Sequence, residues 1–369
     1  MKIPMLDLAE QYQTIKEDVL TELDKVMSSS QFILGVNVKQ LEDDVAKLSN
    51  VAHGIGVANG SDAIHIALQS AGVGEGDEVI TTAFTFFATG GAIARANAKP
   101  VYVDIDPITF NIDPHKIEKA ITKKTKAIIA VHLYGQMADM ESLREIANKH
   151  NLVLIEDAAQ AIGAKQNGNS VGELGTAATY SFFPTKNLGA YGDAGMLVTN
   201  NAELAENARI IRVHGSKPKY YHQVLGYNSR LDELQAAILN VKLPHLSKWT
   251  EQRRVHATYY TEQLQAKVGK YVTTPVEAKG FYHVYHQYTL RVERRDELQA
   301  YLKEQGIATM IYYPVPLHLQ PVFSYLGYKE GDLPITEQAT KEALSLPMFP
   351  ELKKEQQDYI ISKIVEFYA

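Results

Sequence analysis

The stretch TYSFFPTKNLGAYGDAGMLVTN, residues 179–200, contains two apolar patterns typical of buried β-strands with a glycine-rich segment between them. ATYSFF forms the first pattern and AGMLVTN the second. A single lysine, Lys186, lies between the first pattern and the glycines. A lysine in such a loop is more often a solvated charge than a functional group, so residues elsewhere in the chain must decide between the two interpretations.

Five more apolar segments rich in valine and isoleucine precede this stretch, and amphipathic helical patterns such as SDAIHIALQSAG and MESLREIANKHN separate several of them. The seven strand candidates are GIGVAN, EVITTAF, PVYVDID, KAIIAVHL, LVLIED, ATYSFF and AGMLVTN. Alternation of this kind from about residue 53 to 200 predicts an α/β domain with a mainly parallel seven-stranded sheet flanked by helices.

A long helical pattern leads away from this domain from Leu231 onward, with a kink expected at Pro244. Beyond about residue 270 the chain contains strand-like YHQYTLRVE, helical RDELQAYLKEQG, strand-like ATMIYYPV and a last helix, KKEQQDYIISKIVEF. These patterns predict a smaller C-terminal α/β domain. We therefore expect a large domain with an N-terminal arm at residues 1–245 and a small domain at residues 246–369.

The composition excludes several classes of function. The 369-residue chain has 37 basic and 43 acidic residues, and a net charge of -6 provides no general attraction for nucleic acid. It has no cysteine, and its 12 histidines show no metal-binding spacing, so no disulfide and no metal site are predicted. No apolar segment resembles a signal peptide or a membrane span, so we expect a cytoplasmic protein without membrane contact.

Polar residues follow three of the predicted strands, at the sheet edge where α/β proteins bind ligands. Asp157 ends LVLIED and Gln160 follows it; the carboxylate is a candidate partner for a cation, and a helix N-cap is an equally good interpretation. Gly60, Ser61 and Asp62 begin a helix, whose free N–H groups suit a phosphate.

The third position is the opening stretch, where Ser181 lies near the end of the strand candidate ATYSFF and Lys186 follows five residues later. A desolvated lysine amine can form a Schiff base with a carbonyl. An anion site, an acid at a strand end and a lysine about thirty residues later are together the parts that hold pyridoxal 5′-phosphate (PLP). We therefore interpret Lys186 as the lysine that forms the Schiff base with PLP.

The order of motifs NGSDA, FTFFAT, PVYVDIDP, HLYGQ, IEDAAQ, SFFPTKNLGAYGDAG and NSRLDELQAA resembles the DegT/DnrJ/EryC1/StrS family of sugar aminotransferases over nearly the whole chain. The resemblance implies the aspartate-aminotransferase fold, fold type I, and PLP with its pyridoxamine form (PMP) as cofactor. A branch of that family has histidine in place of the lysine and dehydrates sugars, whereas this chain has lysine. Transamination is therefore the implied reaction.

The resemblance also implies roles for single residues. Asp157 would pair with the pyridinium nitrogen, Gln160 would lie near the phenolic oxygen, and Phe86 would stack on the ring. The phosphate would be held by Ser181 and by the helix start at Gly60, Ser61 and Asp62. Asn228 would reach the phosphate from the other subunit, which implies a homodimer with shared sites.

The implied substrates are L-glutamate and a nucleotide-linked keto-sugar, converted in turn by a ping-pong mechanism. Tyr312, Tyr313 and His318 are candidates for sugar contacts, although the tyrosines also suit strand packing, and His132 is undecided between packing and substrate contact. Similarity around HGSKPKYYH favours amination at C3, with C4 and the nucleotide open. A PLP-dependent lyase or aldolase and a non-catalytic PLP-binding regulatory protein are alternatives, and the biosynthetic pathway, polysaccharide or antibiotic, is open.

Overall fold

The structure is a computed structural model that describes all 369 residues. Its α-helices are α1 Leu8–Ser29, α2 Val36–Leu48, α3 Gly60–Ser70, α4 Phe87–Arg95, α5 Pro114–Ala120, α6 Met140–His150, α7 Ala202–Ile211, α8 Glu233–Lys242, α9 Leu246–Val268, α10 Arg295–Glu304, α11 Pro334–Glu342 and α12 Lys354–Tyr368. Its strands are β1 His53–Val57, β2 Glu78–Thr82, β3 Lys99–Val103, β4 Thr125–Val131, β5 Val153–Asp157, β6 Lys165–Gln166, β7 Asn169–Ser170, β8 Ala177–Ser181, β9 Gly195–Thr199, β10 Val272–Thr273, β11 Phe281–Tyr282, β12 Tyr288–Val292 and β13 Ala343–Leu346.

The central sheet contains all seven predicted strands, in the order β1-β9-β8-β5-β4-β2-β3. Strand β9 runs antiparallel to its neighbours β1 and β8, and the other four pairs are parallel. The central strands are buried on both sides, since helices cover both faces of this sheet. The predicted α/β class with a mainly parallel seven-stranded sheet is confirmed.

Proline determines the geometry of the long helical pattern that follows the sheet. Helix α8 ends at Lys242, a 3₁₀ turn spans Leu243–His245, and α9 continues from Leu246. The ring of Pro244 cannot donate the N–H that a continuous helix needs. The kink expected at Pro244 is therefore present.

A second, three-stranded sheet of order β10-β12-β13 lies in the C-terminal part and packs against α9, α10 and α12. Its core includes Ile3, whose N–H donates to Gly306 O at 2.9 Å, so the N-terminal residues lie against this part of the chain. A large domain at 1–245 and a small one at 246–369 remain a prediction.

The expectation of a strand at ATMIYYPV, residues 308–315, is wrong. Only Met310 pairs there, with Ser345, and no strand forms. Pro314 and Pro316 remove backbone donors that a strand would use. The Tyr134 hydroxyl instead donates to the carbonyl oxygen of Tyr312 and holds this segment in place.

No helix combines the length and the apolar character that crossing a membrane requires.

Candidate active site

A cavity of about 710 Å³ lies at the carboxyl edge of the central sheet, a size typical of small-molecule sites. Strands β5 and β8 end there at Asp157 and Ser181, and α3 and α4 begin there. The cavity brings together ten of the twelve predicted site residues, namely Gly60, Ser61, Asp62, Phe86, Asp157, Gln160, Ser181, Lys186, Tyr312 and Tyr313. Parallel strand ends meet at one edge, which explains the convergence.

Lys186 lies in the segment between β8 and β9 and lines this cavity. Burial lowers the pKa of its amine to about 8, against the opposing effect of the Asp157 carboxylate. A lysine with this pKa is partly neutral near physiological pH. Lys186 is thus suited to react with a carbonyl and to exchange protons.

Asp157 is buried at the end of β5, with one carboxylate oxygen, Oδ2, accepting from Thr89 Oγ1 at 2.7 Å. The other oxygen accepts from Ala159 N at 3.3 Å. Burial raises the pKa of Asp157, whereas these two hydrogen bonds and the charge of Lys186 lower it. The hydrogen bonds therefore favour a carboxylate that can pair with a buried cation.

The start of α3 provides the predicted anion site. The N–H groups of Gly60 and Ser61 have no intrahelical partner, whereas Asp62 N donates to the N-cap Asn59 at 2.8 Å. Gly60 lies directly against Ser181: a Cβ atom at Gly60 would be 2.6 Å from Ser181 Cβ. Backbone donors and the Ser181 hydroxyl therefore face the same small volume, and the engaged N–H of Asp62 is the weakest member of the predicted set.

Gln160 and two aromatic residues form the opposite wall. Gln160 Oε1 accepts from Tyr134 N at 2.7 Å, and its Nε2 donates to the Tyr313 hydroxyl at 3.0 Å. Burial raises the pKa of Tyr313, so its hydroxyl stays protonated. The rings of Phe86 and Tyr313 lie 6.0 Å apart and tilted, and Phe86 is largely exposed and free to cover a flat ligand.

Three predicted or undecided residues lie outside the cavity of this chain. Asn228 is exposed and does not line the cavity, which is compatible with a role in another subunit. His318 is 2% exposed and its Nε2 lies 3.0 Å from Glu337 Oε1, so this geometry does not support its predicted contact with substrate. His132 is buried, bonded to Glu156 and Ala138 N, which favours packing.

The structure also reveals lining residues that sequence reasoning missed, namely Thr85, Arg95, Thr185, Asp193, His286 and Gln287. His286 has a defined tautomer: Asn187 Nδ2 donates to Val284 O, so Asn187 Oδ1 accepts from His286 Nδ1 at 3.1 Å. Burial and the positive charges of Lys186 and Arg253 lower the pKa of His286 far below its usual value. A neutral imidazole therefore borders the cavity, and its Nε2 accepts from Gln287 Nε2 at 3.4 Å.

These groups fit PLP. A buried carboxylate suits a pyridinium nitrogen, an amine of lowered pKa suits the aldehyde, and the close approach of Gly60 to Ser181 leaves backbone donors open to a phosphate. No cluster of three potential metal ligands is found.

Two known proteins are similar to this chain over nearly its whole length. The chain is 72% identical over 368 residues to the "Pleiotropic regulatory protein" of Geobacillus stearothermophilus, with 100% of this chain and 99% of that protein covered. It is 47% identical to the UDP-N-acetyl-3-dehydro-alpha-D-glucosamine 3-aminotransferase of Acidithiobacillus ferrooxidans, over 96% of this chain and 95% of that protein.

Two solved structures are also similar to this chain over nearly its whole length. The crystal structure of S. venezuelae DesV in complex with a ketimine intermediate has a TM-score of 0.96 and 40% identity, over 99% of this chain and 98% of that chain. NtdA from Bacillus subtilis, with the cofactor PMP bound, has a TM-score of 0.91 and 35% identity, over 99% and 85% of the two chains. The model of the DegT/DnrJ/EryC1/StrS aminotransferase family matches residues 13–365, so the chain belongs to this family of fold type I, PLP-dependent sugar aminotransferases.

Proposed function

We propose that the protein transfers an amino group from L-glutamate to C3 of a keto-sugar linked to UDP or dTDP. The observation that carries the proposal is the shared cavity of Lys186, Asp157, Gln160 and Ser181, with an amine pKa of about 8. The A. ferrooxidans relative is named as a 3-aminotransferase of a UDP-linked 3-dehydro sugar, which favours C3 over C4.

Each half of the reaction uses the same side chains. PLP, when bound, supplies a reactive aldehyde carbon and a ring that takes up electrons. The Asp157 carboxylate, which accepts from Thr89 Oγ1, would hold a proton on the ring nitrogen. Gln160, whose Nε2 donates to the Tyr313 hydroxyl, would lie near the phenolic oxygen. Gly60 N–H, Ser61 N–H and the Ser181 hydroxyl would hold the phosphate, and Phe86 would cover the ring.

Lys186 is the group that moves protons. With a pKa of about 8, its free amine is neutral in a useful fraction of molecules at neutral pH. Its Nζ would take the proton from the α-carbon of L-glutamate and deliver it to the C4′ carbon of the bound cofactor. In the second half-reaction, the same nitrogen would take a proton from the C4′ carbon of the cofactor and deliver it to C3 of the sugar.

The substrate side of the cavity contains Tyr312 and Tyr313, together with Arg95 and the neutral His286. Tyr312 and Tyr313 provide hydroxyl groups for the sugar or its diphosphate. We also propose a homodimer in which Asn228 of each subunit reaches the phosphate bound by the other, since Asn228 is exposed and outside its own cavity. The Geobacillus relative is named as a regulatory protein. We nevertheless propose catalysis for this chain, because Lys186, Asp157, Gln160 and Ser181 are all present.

Product analysis tests this proposal. The PLP-loaded protein is incubated with L-glutamate and either a 3-keto or a 4-keto sugar nucleotide, in UDP and dTDP forms, and the aminated carbon is identified by NMR. We expect a 3-amino sugar and 2-oxoglutarate in equal amounts. Turnover of the 4-keto compounds alone would contradict the C3 assignment, and cleavage of the amino acid without amine transfer would favour a lyase.

A further inference from the structure

Lys242, the last residue of α8, is a buried cation that the proposed reaction does not use. It is 1% exposed, and no acidic side chain forms an ion pair with it; Glu351 acts on it only at longer range. Taking an ammonium group out of water without a carboxylate partner is costly. Stability therefore does not explain why a lysine is buried at position 242, and a functional role would.

The ammonium group contacts the segment that carries Lys186. Lys242 Nζ donates to Gly189 O at 2.7 Å and lies 4.1 Å from the centre of the Tyr191 ring. Burial lowers the pKa of Lys242 to about 8. A carbonyl oxygen and an aromatic face are both attractive to a cation, so the charge is directed at this segment.

This segment is closed tightly on itself. Lys186 N donates to Phe183 O at 2.8 Å, and Ala190 N donates to Phe182 O at 2.8 Å. A Cβ atom at Gly189 would lie only 2.3 Å from Pro184 O, so no residue larger than glycine fits there without movement. A displacement of Gly189 is therefore transmitted to the turn that carries Lys186.

Helix α8 holds the same segment at a second point. Gln235 Oε1 accepts from Tyr191 N at 2.9 Å, and Gln235 precedes Lys242 by seven residues, two helical turns on one face. On another side Ile238 of α8 packs with Ile15, Val19 and Trp249. The helix is thus a fixed support with two polar contacts to the segment.

We propose that Lys242 is a positioning residue for Lys186: its ammonium holds Gly189 O and the Tyr191 ring and thereby fixes the backbone of residues 186–191. The inference rests on the proposed role of Lys186 as the amine that holds the cofactor. It predicts that an apolar side chain of similar length at position 242 loosens this segment and leaves the rest of the cavity in place.

Hydrogen exchange of the cofactor-free protein, followed by mass spectrometry, tests the proposal. In Lys242→Met, the amides of Ala190 and Tyr191 should exchange about tenfold faster or more, since a hydrogen bond from a charged donor is lost. Leu298→Ala, in the distant C-terminal core, should lower the melting temperature without changing exchange in this segment. Unchanged exchange in Lys242→Met would overturn the proposal.

Kinetics of the loaded enzyme give a second readout that a merely structural role would not move. Lys242→Met should lower kcat about tenfold and leave KM for the sugar nucleotide within about twofold, because only the Lys186 segment is affected. The value of kcat is calculated per bound cofactor, because unfolded molecules would lower the apparent kcat without changing KM. An unchanged kcat per bound cofactor would contradict the proposal.

A second variant keeps the test decisive if Lys242→Met does not fold. Tyr191→Leu removes the aromatic face under the Lys242 ammonium, together with an edge contact to Tyr12, and keeps the backbone N–H that donates to Gln235. We expect faster exchange at Ala190, and exchange identical to wild type would overturn the proposal. A failure of the proposed function can be told apart from a failure of this inference. A wild-type protein that forms no coloured complex with PLP would contradict the proposed function, whereas exchange in the cofactor-free protein would still test the role of Lys242.

Discussion

Removal of one hydroxyl group, in Thr89→Val, should shift the pH dependence of cofactor binding. Thr89 is fully buried in α4, and its Oγ1 donates to Asp157 Oδ2 at 2.7 Å. This bond lowers the pKa of Asp157 against the effect of burial, which raises it. Valine has nearly the same shape and cannot donate, so the pKa of Asp157 should rise in the variant.

The magnitude follows from the kind of hydrogen bond. A bond to a charged group contributes roughly 1.5–3 kcal/mol, and one pKa unit corresponds to about 1.36 kcal/mol. The expected rise is therefore roughly one to two units. Since Asp157 must be an anion to pair with the ring nitrogen, affinity is lost as pH falls through its pKa, and a higher pKa moves this loss to higher pH.

The assay is the dissociation constant for PMP as a function of pH in wild type and variant. PMP has no aldehyde, so the titration of Lys186 as a nucleophile does not enter, and its phosphate titrates alike with both proteins. Thr85→Val is the matched control: Thr85 Oγ1 lies 2.9 Å from Thr89 Oγ1 and has no hydrogen bond to Asp157. A folded Thr89→Val protein with an unshifted profile, or an equal shift in Thr85→Val, would refute the reasoning.

Three further outcomes are expected. Gly60→Ala should weaken PLP binding by about tenfold or more, since its Cβ would lie 2.6 Å from Ser181 Cβ, whereas Gly74→Ala, with nothing nearer than 4.0 Å, should bind normally; equal affinities would contradict the anion site. The rate at which cofactor-free protein captures PLP should rise with pH and level off above about 8, as the amine of Lys186 becomes neutral; a flat profile would exclude that pKa. If Asn228 acts across a dimer, heterodimers of Lys186→Ala and Asn228→Ala subunits should regain part of the activity that each homodimer lacks, and verified heterodimers without recovery would argue against shared sites.

The sequence was sufficient for the central sheet and for the parts of the site at strand ends. Apolar segments with isoleucine and valine, such as KAIIAVHL, predict buried parallel strands. The sheet then brings Asp157, Ser181 and the start of α3 to one edge. Pro244 likewise forces its own kink. These features depend on the local pattern of residues, so they can be predicted from a single sequence.

Features that depend on contacts between distant segments could not be predicted. His286 is exactly one hundred residues beyond Lys186, and its tautomer depends on Asn187. Nothing in FFATG distinguishes Thr89 as the donor to Asp157. At residues 308–315 the aromatic and β-branched composition favoured a strand, but prolines and the Tyr134 bond to Tyr312 O determine the conformation.

The visible absorption of the PLP-loaded protein, recorded before and after addition of L-glutamate, tests the central claim most directly. For wild type we predict that the yellow band of the bound cofactor is lost on addition of glutamate and returns when a 3-keto sugar nucleotide follows. Lys186→Ala should show neither change. A wild-type band that glutamate leaves untouched, or a Lys186→Ala protein that responds as fast as wild type, would contradict the account.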